Sequence, residues 1–133
     1  MKRRRAKGVG LVETIVIAIV LIPVTLFFLD LIVLVLANSI NDGACKNATR
    51  VAANQATGPD ALAAAKGAIE AVKSNSIVKS VRIVTLDYDE LNHTTCSVET
   101  EVVVRLPVPF PGYSQFKFVA RDVEPILVPQ LPK

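Results

Sequence analysis

The chain has 133 residues, 51% of them hydrophobic, and a formal net charge of +3. Lys2, Arg3, Arg4, Arg5 and Lys7 account for that sign, because the remaining Lys and Arg are fewer than the Asp and Glu. The basic balance therefore belongs to the N-terminus and does not argue for a nucleic-acid partner. About 95 residues remain once an apolar N-terminal segment is set aside, enough for one small domain near the low end of what folds alone.

Residues 1–8 form a basic leader ending in Lys7-Gly8. Residues 14–37 are predominantly apolar and carry one charge, Asp30, with Pro23 inside the run. Spanning a bilayer takes about 20 such residues, so the stretch 9–37 reads as a membrane anchor. Pro23 removes one backbone donor and is expected to kink the helix, which membrane helices tolerate. The cations precede the span and Asp42 follows it, which puts the N-terminus in the cytoplasm and the bulk outside. A cleaved signal peptide fits less well, because the apolar run is too long for its core and carries a charge.

From Asn38 the sequence becomes small and polar, with Ile40, Ala44, Ala48, Val51 and Gln55 at helical spacing. The simplest reading is one helix continuing out of the membrane over 38–56, roughly 70 Å in all from Val9. Thr57-Gly58-Pro59-Asp60 ends it. The rest, 57–133, reads as a small α+β domain. An amphipathic helix is expected over Asp60–Ser74, with Leu62, Ala65, Ile69 and Val72 on one face.

The period then changes to two. Strands are expected over Ile77–Tyr88, Thr95–Leu106 and Ser114–Val123, joined as an antiparallel meander. In the second, Cys96, Val98, Thr100, Val102, Val104 and Leu106 face one way, and Ser97, Glu99, Glu101, Val103 and Arg105 the other. Pro107 to Gly112 reads as a stiff turn. The fold class is thus α+β: a long N-terminal transmembrane and stalk helix, a short helix, and a small three-stranded antiparallel sheet.

Nothing in the pattern points to an enzyme, a metal site or a cofactor. His93 stands alone in a polar loop, and Gly8-Val9-Gly10 follows no strand, so it is no dinucleotide fingerprint. Cys45 and Cys96 both lie beyond the anchor. An even count on an exported side fits one disulfide, the alternative being two unpaired buried thiols.

Glu13 is the informative residue, because a carboxylate at the edge of an apolar span needs a reason. If the chain is cut after Gly8, Val9 becomes an N-terminal amine and Glu13 the fifth residue. The amine of one subunit and the Glu13 carboxylate of another, each unfavourable alone near hydrocarbon, then pair and select an axial register. Asp30 lies about 100° round the helix from Glu13, so it needs a separate partner. A helix–helix contact with another subunit is the expectation.

Lys7-Gly8 followed by Val-Gly-Leu-Val-Glu resembles the type III/IV prepilin cleavage motif. With Pro23, Asp30 and the Ala-rich run after Asn41, the stretch resembles the TadE-like pseudopilins of the tight adherence (Flp pilus) machinery. Thr14 and the late Pro23 depart from that pattern. The resemblance implies a minor pilin that a prepilin peptidase processes at the inner membrane. Its partners would be membrane lipid, other pilins and the pilus assembly platform, in roles of adhesion and secretion. The competing expectations are a signal-anchored membrane protein with an exported binding domain and a secreted domain freed near Asn38.

Overall fold

The computed structural model describes residues 6–92, 94–110 and 113–127. The leader before Ala6, His93, Pro111, Gly112 and the prolines at 129 and 132 lie outside the described residues. The element order is α1 (Ala6–Ala53), α2 (Gly58–Glu70), β1 (Val78–Tyr88), β2 (Thr95–Phe110) and β3 (Tyr113–Pro125). The fold is the expected α+β arrangement, with strand order β1-β2-β3 and both pairings antiparallel.

α1 is one helix of 48 residues with Pro23 inside it, roughly 72 Å at the standard rise. Leu, Ile, Val and Ala dominate, and none breaks a helix. The proline removes the donor that would serve the Ile19 carbonyl, yet the helix continues beyond it. α1 stops at Ala53, three residues earlier than the sequence suggests. The Gln55 amide then turns back onto the Ala52 carbonyl at 3.0 Å. α2 starts two residues earlier than expected and ends at Glu70 rather than Ser74. Thr57 caps it: its hydroxyl accepts from the Asp60 amide at 3.3 Å and donates to Asp60 Oδ2 at 2.8 Å.

α1 has two unlike halves. From Gly10 to Leu29 every residue is exposed except Leu26, which is half-buried. From Asp30 onward one face is covered by the sheet. That face reads Ala37, Asn41, Ala44, Cys45, Ala48, Thr49 and Ala52, all buried. The expected stripe was right at Ala44 and Ala48, but Ile40 is exposed and Val51 and Gln55 only half-buried. The lesson is geometric: the buried line follows the smallest side chains, because they let the sheet approach the helix backbone.

β2 is the central strand, and its alternation is as expected. Cys96, Val98, Thr100, Val102, Val104 and Leu106 are all buried, facing α1. On the outer face Glu101 pairs with Arg82 at 2.8 Å and Lys117 at 3.6 Å across both neighbours. The core has two parts. One joins Ala44, Ala48, Ala52 and Ala53 of α1 to Ala61, Ala65 and Ile69 of α2 and Cys96 and Val98 of β2. The other joins Ala37 to Val78, Val102 and Val104, flanked by Val33, Leu34 and Phe118. Val33, Leu34 and Ala37 therefore belong to the domain core, whereas the sequence alone had placed them in the anchor.

The expected turn at Pro107 is also revised. β2 continues through Pro107, Val108 and Pro109 to Phe110, which pairs with Tyr113. The ladder skips from Arg105 to Phe110. Two of the intervening residues are prolines without an amide donor, so regular pairing lapses there while the chain stays extended.

Candidate functional site

Gly8 and Val9 sit in the first turn of α1, and their backbone is helical. Glu13 follows on the same helix with its side chain exposed, as are the apolar side chains around it, among them Leu11 at 64% and Val16 at 55%. The helix is long and apolar enough to cross a membrane, and along the stretch Gly10–Leu29 every residue but Leu26 is exposed. At helical rise its 20 residues cover about 30 Å, the thickness of a bilayer's hydrocarbon core. Gly8, Val9 and Glu13 thus stand near the N-terminal end of a largely exposed apolar rod.

Asp30 stands where the rod meets the domain, and it corrects the expectation of a contact with another subunit. It is only 3% exposed, covered by the end of its own chain's β2. The Val108 amide donates to Asp30 Oδ1 at 3.2 Å, while Asp30 Oδ2 is buried without a partner. The reason is local. Val108 lies between two prolines and its amide has no place in the ladder, so the carboxylate supplies the acceptor.

Two further polar contacts tie α1 to the sheet. Asn41 is fully buried. Its amide donates to the carbonyls of Phe118 at 3.2 Å and Thr100 at 3.5 Å, and its Oδ1 accepts from the Thr100 hydroxyl at 3.0 Å. One turn on, Cys45 Sγ donates to the carbonyls of Val98 at 3.2 Å and Ala120 at 3.4 Å. The sequence reading missed Asn41 and Thr100. The available signal was a lone amide on a small-residue stripe, opposite a lone threonine in an apolar alternation.

The expected Cys45–Cys96 disulfide is absent; both are free and buried. Cys45 is seated over Val98, whereas Cys96 lies two residues along the same face of β2, roughly 6.6 Å at strand rise. The Cys45 thiol is committed instead to the Val98 and Ala120 carbonyls. Burial pushes both thiols above their ordinary pKa.

Elsewhere, a cleft of about 340 Å³ is lined by Ser76, Ile77, Arg105, Leu106, Pro107 and Ser114. Among the described residues Arg105 is the one ionisable side chain in its wall. Among the described residues, no three of His, Cys, Asp and Glu converge as metal ligands would. Comparisons with protein-family models, with characterised proteins and with solved structures return no match to this chain.

Proposed function

We propose that the chain is a minor pilin of the TadE-like kind, cut after Gly8 by a prepilin peptidase. In this reading Gly10–Leu29 holds it in the cytoplasmic membrane, N-terminus inside, until it joins a Tad/Flp-type pilus. The observation that carries the reading is the division of α1. Its first half is a largely exposed apolar rod about one bilayer long, and its second half is the spine of the small α+β domain. A subunit built this way leaves the membrane by packing its rod against the rods of others. Glu13, five residues beyond Gly8, then meets the new amine of a neighbour and sets the axial offset between subunits.

Release of the domain by signal peptidase near Asn38 is disfavoured on the same grounds. That cut would remove Val33, Leu34 and the fully buried Ala37 from the core.

The test is the N-terminus of the membrane-bound protein, by intact mass and Edman sequencing. The expected mature chain begins at Val9, and Gly8→Ala leaves the leader attached. Glu13→Gln is expected to be cut normally yet to stay out of filaments. A chain that enters filaments while still beginning at Met1 overturns the proposal and favours the signal-anchored alternative.

A further inference from the structure

We infer that the cleft between Ser76, Arg105 and Ser114 binds a phosphate group, whose two sources are the headgroup of an anionic lipid and a soluble phosphate. The lipid source rests on the reading of Gly10–Leu29 as a membrane span; the phosphate site itself does not.

Three chain segments meet there. Residues 75–78 lead into β1 as a pinned turn. The Asn75 side-chain oxygen accepts from the amides of Ile77 at 2.9 Å and Val78 at 2.7 Å, and the Asn75 amide donates to the Val78 carbonyl at 3.0 Å. The Arg105 amide donates to the Ile77 carbonyl at 2.9 Å, which fixes that turn against β2. On the other side Arg105 stands opposite Gln115, the neighbour of Ser114 in β3. Ser76, Arg105 and Ser114 are thereby set around about 340 Å³ of space, within the usual range for a small-ligand cleft. Ile77, Leu106 and Pro107 complete the described wall.

The polar groups of this wall are donors waiting for an acceptor. A guanidinium carries five N–H groups and no acceptor. Among the described residues no carboxylate pairs with Arg105, and the exposed Ser76 and Ser114 hydroxyls make no hydrogen bond. A carboxylate ligand has only two oxygens, so three donor groups around one space favour phosphate. The surrounding charge has the matching sign. Lys73 and Lys79 bracket the turn, both exposed and without an ion pair among the described residues. Two carboxylates on this side are already engaged: Glu101 by Arg82 and Lys117, and Asp30 by the Val108 amide. Asp87, Asp89, Glu90 and Glu124 lie at the opposite end of the sheet.

Height makes lipid one of the two sources. Along β2, Thr100 meets Asn41, Val104 packs with Ala37 and Val108 meets Asp30, so β2 runs antiparallel to α1. Arg105 lies three residues above Val108, about 10 Å at strand rise. A headgroup layer of roughly 5–7 Å beyond Leu29 is then within a long side chain's reach.

The test is nuclear magnetic resonance of the full-length protein in uncharged maltoside micelles, following the Arg105 Nε–H and the Ser76 and Ser114 amides. Inorganic phosphate, glycerophosphoglycerol and micelle-borne phosphatidylglycerol are titrated in turn. Sodium chloride of equal ionic strength and diacylglycerol, which lacks the phosphate, are the blanks. The expected result is a saturable shift with the phosphate probes and none with the blanks. Arg105→Gln should weaken the affinity about ten-fold or more, and Ser76→Ala and Ser114→Ala about two- to five-fold each. All three side chains are exposed, so the rest of the amide spectrum should stay as it is. Arg50→Gln, exposed near the far end of α1, should bind like the unaltered chain. Shifts with phosphatidylglycerol alone support the site and identify lipid as its source. Shifts with the soluble phosphates alone support it and identify a soluble ligand. Shifts that never saturate, that chloride reproduces, or that survive Arg105→Gln overturn it. Such a failure leaves the pilin reading standing, because that reading is decided by whether mature chains begin at Val9.

Discussion

Asp89 shows how one carboxylate organises a loop. It accepts from the Thr94 hydroxyl at 2.6 Å and from the amides of Asn92 and Leu91 at 3.0 and 3.2 Å. These bonds, the Thr94 hydroxyl foremost, lower its pKa from 3.8 to about 2. The charged form is favoured in the folded state, so the stabilisation is present above pH 3.8 and is lost as pH falls through about 2. Asp89→Asn should therefore melt below the wild type at neutral pH, with the gap closing toward pH 2 in a series of thermal scans. The cysteines supply a second residue-scale expectation. Both thiols are buried and held neutral, so a maleimide should label neither in the folded protein and both in denaturant, with no reductant needed. Labelling only after reduction would restore the disulfide. The sequence suggested a disulfide because it shows how many cysteines there are. It does not show which strand position lies under which helical turn.

At the scale of elements, period was readable while caps and reach were not. The alternation of β2 announced its buried face residue by residue, because one face meets a helix and the other meets water. Thr57-Gly58-Pro59-Asp60 was legible as the end of α1, but not as a cap: the Thr57 hydroxyl and Asp60 carboxylate start α2 two residues before the expected Asp60. Thr57→Ala should lower stability by about 1 kcal/mol in urea titration, since an alanine neither accepts from the Asp60 amide nor holds its carboxylate. Two features escaped because they depend on tertiary contacts. Pro107-Val108-Pro109 carries the chemistry of a turn, yet it remains extended because Asp30 takes the one amide the prolines leave over. Asp30 itself looked like a charge inside the span. Hydropathy cannot distinguish a helix face that meets lipid from one that meets a sheet, and Val33, Leu34 and Ala37 belong to the second kind.

For the molecule as a whole, that distinction sets where the domain begins. Its packing on α1 starts at Asp30 and includes the cluster around Ala37, so the folded unit is 30–127 among the described residues rather than a domain hung after residue 56. A chain beginning at Asp30 should accordingly be a soluble, cooperatively folded monomer. It has shed the mostly exposed Gly10–Leu29 surface and kept every helix residue described as buried, and an aspartate in the first helical turn is favourable there. A chain beginning at Asn41 retains the Asn41–Thr100 contact but loses Val33, Leu34 and Ala37. Half-burial of two aliphatic side chains and full burial of an alanine contribute about 3 kcal/mol together. Small domains hold only about 5–15 kcal/mol in total, so the shorter chain should unfold at markedly lower urea or not fold at all. Circular dichroism with urea titration and gel filtration compare the two directly. Equal stability of both chains would place the domain boundary back beyond Ala37. Aggregation of the longer one would mean that the bare half of α1 supports the domain after all.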